Sequence, residues 1–346
     1  MRNKSLKAIS MLLILTLSVS LLVGCGQSSN SGQGNNSTSN QKTLMTFGAP
    51  PASSALYPYW VAVGKTISTI YPEFQISVSE TQGAIDITKR VRSGSLIVGN
   101  SMSNTDYENY NGTGAFNGDP FKDVRILWYF DFTPIQIIVA KDSNVKDISD
   151  LNGKKFNPGG TGAAAAIITK QICEMLGVKP NYFEAGQADA GDAVSNRQII
   201  GTVKAGPAPD SFVMQIGATI PIDLVSFTDE QIKIITEKYA YLLPVTIPAG
   251  TYKGIDHDVK TVEVLMGAQT TSKLSQEDGY KMVKAMNEES GRKIWGNVYP
   301  LGANNDLLKL TLMATIPLHA GTVQYLKEKG YNVPGELIPP EYQQTK

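Results

Sequence analysis

Cysteine and histidine are almost missing from this chain of 346 residues: Cys25, Cys173, His257 and His319 are the whole supply. Four clustered soft ligands therefore cannot be assembled, which excludes a Cys/His zinc site. Positive charge is not in excess either. Lys and Arg number 31, matched by 31 Asp and Glu, and no RNP-like aromatic run occurs. Nothing draws the chain onto a phosphate backbone, so nucleic acid is excluded as a partner class. The sequence has no G-x-x-x-x-G-K-[ST] loop, no G-x-G-x-x-G spacing and no G-x-S-x-G elbow. Nucleotide-binding and serine-hydrolase readings lose their footing. No metal and no cofactor are expected.

What is present is material for a folded α/β protein. Hydrophobic residues make up 42% and charged residues 18%, enough apolar surface for a core and too little charge for a disordered chain. The length implies two domains or one large one. Arg2, Lys4 and Lys7 precede an apolar or small-residue run from Ala8 to Val23. That run is short for a membrane span and reads as a signal peptide over residues 1–24. Leu22-Val23-Gly24-Cys25 resembles the bacterial lipobox, which implies lipidation of Cys25 after cleavage. The cleaved chain would carry 28 basic and 31 acidic groups. Residues 26–42, GQSSNSGQGNNSTSNQK, bury no apolar surface and read as a flexible tether from lipid to globule. Residues 25–42 together are the anchor and tether, and the localisation expected is the cell envelope, outside the cytoplasm.

Beyond the tether, short β-branched runs alternate with small-residue turns and helical stretches, the α/β pattern. Strands are expected at Leu44–Gly48, Phe74–Ser79, Leu96–Gly99, Val124–Phe132, Gln136–Lys141 and Lys155–Asn157. Helices are expected at Tyr59–Ile70, Ile85–Arg92 and Ala163–Gly177, with further apolar elements at Ile222–Val225 and Ile232–Ile235. Thr133-Pro134 is read as a break between two strands. Cys173, among Ile172, Met175 and Leu176, is read as a buried inert thiol. His257 in Asp256-His257-Asp258 is read as a surface residue, and His319 as a cap or packing residue.

Three segments share one plan of strand, small-residue loop and helix start: Gly48 to Pro58, Thr81 to Ala84, and Asn157 to Ala163. Loops at the carboxyl ends of strands line the crevice of open α/β sheets. Helix N-termini add free N–H groups and a positive dipole end, which hold an anion without a cationic side chain. Gly48, Ala49, Gly83, Ala84, Gly160, Gly162 and Ala163 let backbone approach closely. Ser53, Ser54, Thr81 and Thr161 add hydroxyls. A small carboxylate fits such loops better than a nucleotide.

The order of these motifs resembles the TAXI family of extracytoplasmic solute receptors of tripartite ATP-independent (TRAP) transporters. Leu56-Tyr57-Pro58 is similar to a Tyr-Tyr-Pro segment of that family, and Thr81 to Asp86 to Thr-x-Gly-Ser-x-Glu. Met102-Ser103-Asn104 is similar to Gln-Ser-Asp, and Gly160 to Ala163 to Gly-Ser-Gly-Thr. Asp142 to Lys155, Ile247 to Tyr252 and Pro317 to Gly321 complete the series, covering nearly the whole mature chain. The resemblance implies a type II periplasmic-binding-protein clamshell with two interlobe crossings, near Phe132-Thr133-Pro134 and Leu243-Pro244-Val245. Residues 43–132 plus 245–346 would form lobe I and 133–244 lobe II. One organic acid or amino acid would sit between them without being converted, for delivery to TRAP permease subunits by a monomeric receptor. Ser101, Ser103, Gly206 and a cleft-facing Tyr57 join the implied site. Pro50, Pro51, Ser53 and Ser54 stand where the family is Gly-rich, and Ala84, Met102 and Ala163 replace its Ser, Gln and Thr, which implies a less polar pocket and a smaller or more apolar acid. A periplasmic enzyme on a related two-lobe scaffold is the alternative; it needs a nucleophile or an Arg cluster, and the loops contain neither.

Overall fold

The computed structural model describes residues 42–52, 54 and 56–344. The expected signal peptide, the Cys25 lipidation site, the tether up to residue 41 and Ser53 lie outside the described residues. The first layer is built from β1 (Thr43–Ala49), α1 (Leu56–Ile70), β2 (Phe74–Glu80), α2 (Ala84–Arg92), β3 (Val98–Met102) and α3 (Ser103–Asn111). Met45, Phe47 and Ala49 alternate inward on β1, the period-2 pattern of a strand. On α1, Tyr59, Trp60, Val63 and Ile67 recur at helical spacing and are buried against it. Burying a side chain of this size contributes about 2–3 kcal/mol. β1 pairs in parallel with β2 on one edge and β3 on the other.

β4 (Val124–Ala140) follows, then β5 (Lys155–Phe156), α4 (Ala164–Met175), β6 (Asn181–Tyr182), α5 (Gln187–Ser195), β7 (Gly201–Ala205), α6 (Ser211–Thr219), β8 (Ile222–Leu224), α7 (Asp229–Lys238), β9 (Leu243–Ile247) and β10 (Val259–Thr271). Helices α8 (Gln276–Asn287), α9 (Glu289–Gly296), α10 (Pro300–Ala303), α11 (Leu307–Thr311) and α12 (Ala320–Glu328) close the chain. The main sheet runs β2-β1-β3-β10-β4-β7, with β8 on β4 and β9 on β10. The α/β fold read from the sequence is the one observed, built on one large mixed sheet.

Two expectations need correction. Thr133-Pro134 does not divide two strands: Val124–Ala140 is one strand of 17 residues. Its ladder to β10 ends with Pro134 opposite Glu263, and its ladder to β7 starts at Ile135 opposite Ala205. The proline, which has no amide hydrogen, thus sits at a change of partners rather than inside a ladder. The third strand is Val98–Met102, later than expected, because Leu96 folds onto Ile87 and Val91 of α2 instead of entering the sheet.

One apolar cluster runs from Met45 and Trp60 through Leu127, Phe130 and Val139 to Phe156, Ile168 and Cys173. Cys173 is buried and free, as read from its neighbours. A second cluster joins Ile138, Phe212 and Val213 to Ile247, Tyr252, Ile255 and Val259. No helix among the described residues is long and apolar enough to cross a membrane.

The β4–β10 ladder leaves no room at Gly267, where an added Cβ would fall 2.1 Å from the Trp128 carbonyl oxygen and 2.5 Å from Tyr129. Gly267→Ala is expected to cost about 1–3 kcal/mol in urea unfolding. Gly335→Ala, with nothing within 4 Å, should stay within about 0.5 kcal/mol of wild type. Equal effects at the two positions would contradict this packing.

Candidate functional site

Because β1, β2 and β3 are parallel, the chain segments that leave their carboxyl ends emerge at one sheet edge. Two of the expected loops are tied together there. Thr81 Oγ1 donates to the Ala49 carbonyl at 2.7 Å and accepts the Gly83 amide at 3.3 Å. The Ala52 amide reaches Glu80 Oε1 at 2.7 Å. Ser54 Oγ accepts the Leu56 amide at 3.2 Å, a local turn at the start of α1. Gly83, at φ +124°, caps α2 without a side-chain bond, so the first amides of that helix, from Ala84, have no intrahelical partner.

The third loop is held from below by Asn157. Its Nδ2 donates to the carbonyls of Phe183 and Ala185, at 2.7 and 3.1 Å. Its Oδ1 accepts Gly159 N at 2.9 Å and Thr202 Oγ1 at 2.8 Å. Above that anchor the amides of Gly160, Thr161 and Gly162 donate to no partner among the described residues, and Ala163 closes the turn onto the Gly160 carbonyl at 3.0 Å. Gly162 lies against the start of α2: a Cβ built on it would sit 4.0 Å from Ile85 Cδ1. Residues from before and after the partner change in β4 are thereby apposed, with unpaired amides on both sides. Thr161 Oγ1 donates to Glu184 Oε2 at 3.1 Å, and Lys170 Nζ lies 2.5 Å from the other carboxylate oxygen. These two bonds hold the Glu184 carboxyl below its usual range.

The remaining expected residues have other surroundings. Gly48 is buried in β1, and Leu96 occupies the space a side chain would need. Ser101 donates to Asp106. Ser103 Oγ accepts the Leu265 amide at 3.1 Å and donates to the Tyr241 carbonyl at 3.2 Å, which pins the start of α3 to β10. The Gly206 amide donates to the Pro134 carbonyl at 3.3 Å, and its own carbonyl accepts Gln136 Nε2 at 2.9 Å. Tyr57 lines a groove of about 460 Å³ with Pro58, Val61, Lys65, Ile294 and Val298, apart from the other expected residues. His257 is exposed and bonded to Asp223 at 2.9 Å, and His319 caps α12 by accepting the Gly321 amide. Both match their reading.

Sequence reasoning missed the polar helix α3. Ser103, Asn104, Thr105, Asp106, Glu108 and Asn109 are all buried. Burial pushes the Asp106 carboxyl up to about 7, against hydrogen bonds from Ser101 and Tyr129 that pull it down. Burial also raises Glu108, which accepts Gln171 Nε2 of α4; Gln171 Oε1 in turn accepts the Tyr241 hydroxyl at 2.9 Å. The only available signal was negative: nine residues, SNTDYENYN, with no apolar stripe and yet no Gly or Pro. Among the described residues no group of three His, Cys, Asp or Glu is placed to hold a metal.

A separate surface cavity of about 660 Å³ is lined by Lys141, Met214, Ala218, Ile220, Tyr252 and Lys253. It lies at the carboxyl end of α6, where the helix presents carbonyls, and Lys141 is engaged by the Gly254 carbonyl at 3.2 Å. An anion finds less there than at free amides.

Residues 47–330 match the model of the NMT1-like family. Among solved structures, XAC2383 from Xanthomonas citri, bound to chloride ion, is 8% identical over 82% of this chain and 99% of that one, with a TM-score of 0.50. The periplasmic binding protein BugD is 15% identical over 84% and 98%, with a TM-score of 0.48. The periplasmic aliphatic sulphonate binding protein SsuA from Escherichia coli is 12% identical over 75% and 80%, with a TM-score of 0.43.

At the strand changeover, burial first and the charge of Asp131 second push the Glu263 carboxyl up to about 8. A carboxyl raised on folding stabilises the fold fully below its unfolded value near 4.5, and that contribution is lost as pH rises through 8. Glu288, Glu341 and Asp147 are lowered, so their contributions are already complete above pH 5. Glu263→Gln is expected to lose less thermal stability than wild type between pH 5 and 8.5. The difference between the two proteins cancels the histidines. Parallel pH profiles would refute the burial of this charge.

Proposed function

The chain belongs to the NMT1-like family, and from that premise we propose that it is an extracytoplasmic solute receptor. It captures one small organic acid or amino acid between two lobes and releases it to a TRAP-type permease driven by an ion gradient. The observation that carries the reading is the apposition of the Gly160–Gly162 turn with the start of α2, each offering amides without partners. Two sets of free N–H groups in neighbouring segments suit a carboxylate, whose oxygens accept several hydrogen bonds at once. Thr81, Gly83, Ala84, Gly160, Thr161, Gly162 and Ala163 form the acid-binding part of this site. Gly48, Ala49, Ser54, Ser101, Ser103 and Gly206 support it, and Tyr57 is left to the groove between α1 and α9.

The lobes in this reading divide at the changeover in β4 near Pro134 and within β10 near Glu263. The segment 245–259 then joins residues 133–244, with which Ile247, Tyr252 and Val259 share a core. Lipidation at Cys25 and the tether hold the receptor at the membrane. The order of the loops, which resembles TAXI receptors, supports the TRAP assignment over other transporters. The enzyme reading has no observation in its favour.

The test is mass spectrometry of the small molecules released on denaturing the purified full chain in detergent. One stoichiometric acid, rebound reversibly and recovered unchanged, is expected. Thr161→Pro, which removes one of the free amide hydrogens of the turn, should weaken rebinding about fivefold, the equivalent of about 1 kcal/mol. Chemical conversion of the compound, or a bound species that is not an acid, would overturn the reading.

A further inference from the structure

Buried polar side-chain atoms without a partner are rare in folded proteins, and here they gather around α3. Both amide atoms of Asn104, Oδ1 of Asp106 and Nδ2 of Asn109 lie on that helix without a partner among the described residues. Thr133 of β4, Thr169 of α4 and Gln269 of β10 each add one more such atom, and all three elements pack on α3. Asn104 stands apart even in this group. It is fully buried, and neither its donor nor its acceptor is used. It occupies the first turn of a nine-residue helix whose N-cap, Met102, contributes no side-chain bond. That turn follows directly from the carboxyl end of β3, the same sheet edge from which the loops of β1 and β2 emerge. Ser103, bonded on both sides, fixes the turn in place.

We propose that Asn104 reads the end of the solute remote from its carboxylate, and that this end is an uncharged group able both to donate and to accept, a hydroxyl or a carboxamide. This rests on the receptor reading and names its substrate class. A carboxamide side chain offers one acceptor and two donor hydrogens, so only a partner of mixed character satisfies both of its ends. A second carboxylate would fit badly. It would leave Asn104 Oδ1 facing another anion, with the Glu108 carboxyl one turn on along the same helix face. The basic groups nearby are committed: Arg92 to Asp119 at 2.7 Å and to Asn109, and Lys170 to Glu184. The class is therefore hydroxy or amide monocarboxylic acids rather than dicarboxylic acids.

The test uses four acids with one carbon skeleton: 4-hydroxybutyrate, succinamate, succinate and butyrate. Each is titrated calorimetrically into the full chain in detergent and into Asn104→Ala. Wild type is expected to bind the hydroxy or the amide acid at least about tenfold more tightly than succinate and butyrate, a difference of about 1.4 kcal/mol. Asn104→Ala should erase that preference while still binding acids through the turn at residues 160–162. Asn104→Leu, which keeps the volume and drops the two unpartnered polar atoms, should leave the thermal midpoint of the solute-free protein unchanged or raise it. Succinate bound as tightly as the hydroxy acid, or a preference that survives in Asn104→Ala, would overturn the assignment of Asn104 and leave the receptor reading standing. A fall in the midpoint of solute-free Asn104→Leu would also overturn it, by giving the amide a structural role. Failure of all four acids to bind would count against the acid-receptor reading itself and remove this inference with it.

Discussion

The antiparallel ladder between β4 and β10 is the constraint on which the rest of the structure depends. It pairs Val124–Pro134 with Glu263–Thr271 and is buried on both faces along almost its whole length. β3 attaches to it on one side, bringing β1 and β2 in parallel. β7 and β8 attach to the far end of β4. The loops after β1 and β2 hang from the first of those attachments, whereas the turn at residues 157–163 follows β5 of a separate two-stranded sheet, joined to β7 by the bridge between Asn157 and Thr202. In the receptor reading, the partner change at Pro134 separates the loops after β1 and β2 from the turn at residues 157–163. A strand of 17 residues carries two ladders in succession because its single missing amide falls between them.

In the proposed receptor, recognition would be done by backbone more than by charge. Asn157 spends its whole side chain holding one turn in shape, which leaves the amides above it unpaired. The price of that preorganisation is borne elsewhere, in a core continuous from Trp60 to Cys173. Several buried or paired carboxyls are held away from their usual range. Asp106 and Glu263 are pushed upward by burial, and Glu184 is spoken for by Lys170 and Thr161. The proposed site would therefore favour a solute with a single negative charge.

Much of this was legible in the residues. The alternation of strand and helix, the small-residue loops at strand ends, the buried thiol of Cys173 and the cap at His319 follow from local pattern and survive in three dimensions. What was not legible depends on tertiary context. Pro134 reads as a strand breaker because sequence does not reveal that ladders exchange there. Leu96 reads as a strand residue because its partners Ile87 and Val91 come from the preceding helix. α3 was missed altogether. A helix without an apolar stripe looks like a surface loop, and only the packing of β10, α4 and β4 around it turns its polar residues into an interior. Gly48, with its side-chain space filled by Leu96, shows the converse: a glycine in a loop-like motif that serves packing.

Hydrogen–deuterium exchange on the full chain, with and without the compound that it releases on denaturation, bears most directly on where the solute sits. The account predicts slowed exchange at residues 82–87, 103–107 and 159–164 together, with residues 213–222 and 251–254 unchanged. Slowing confined to the latter two segments, around the cavity at the end of α6, would contradict it.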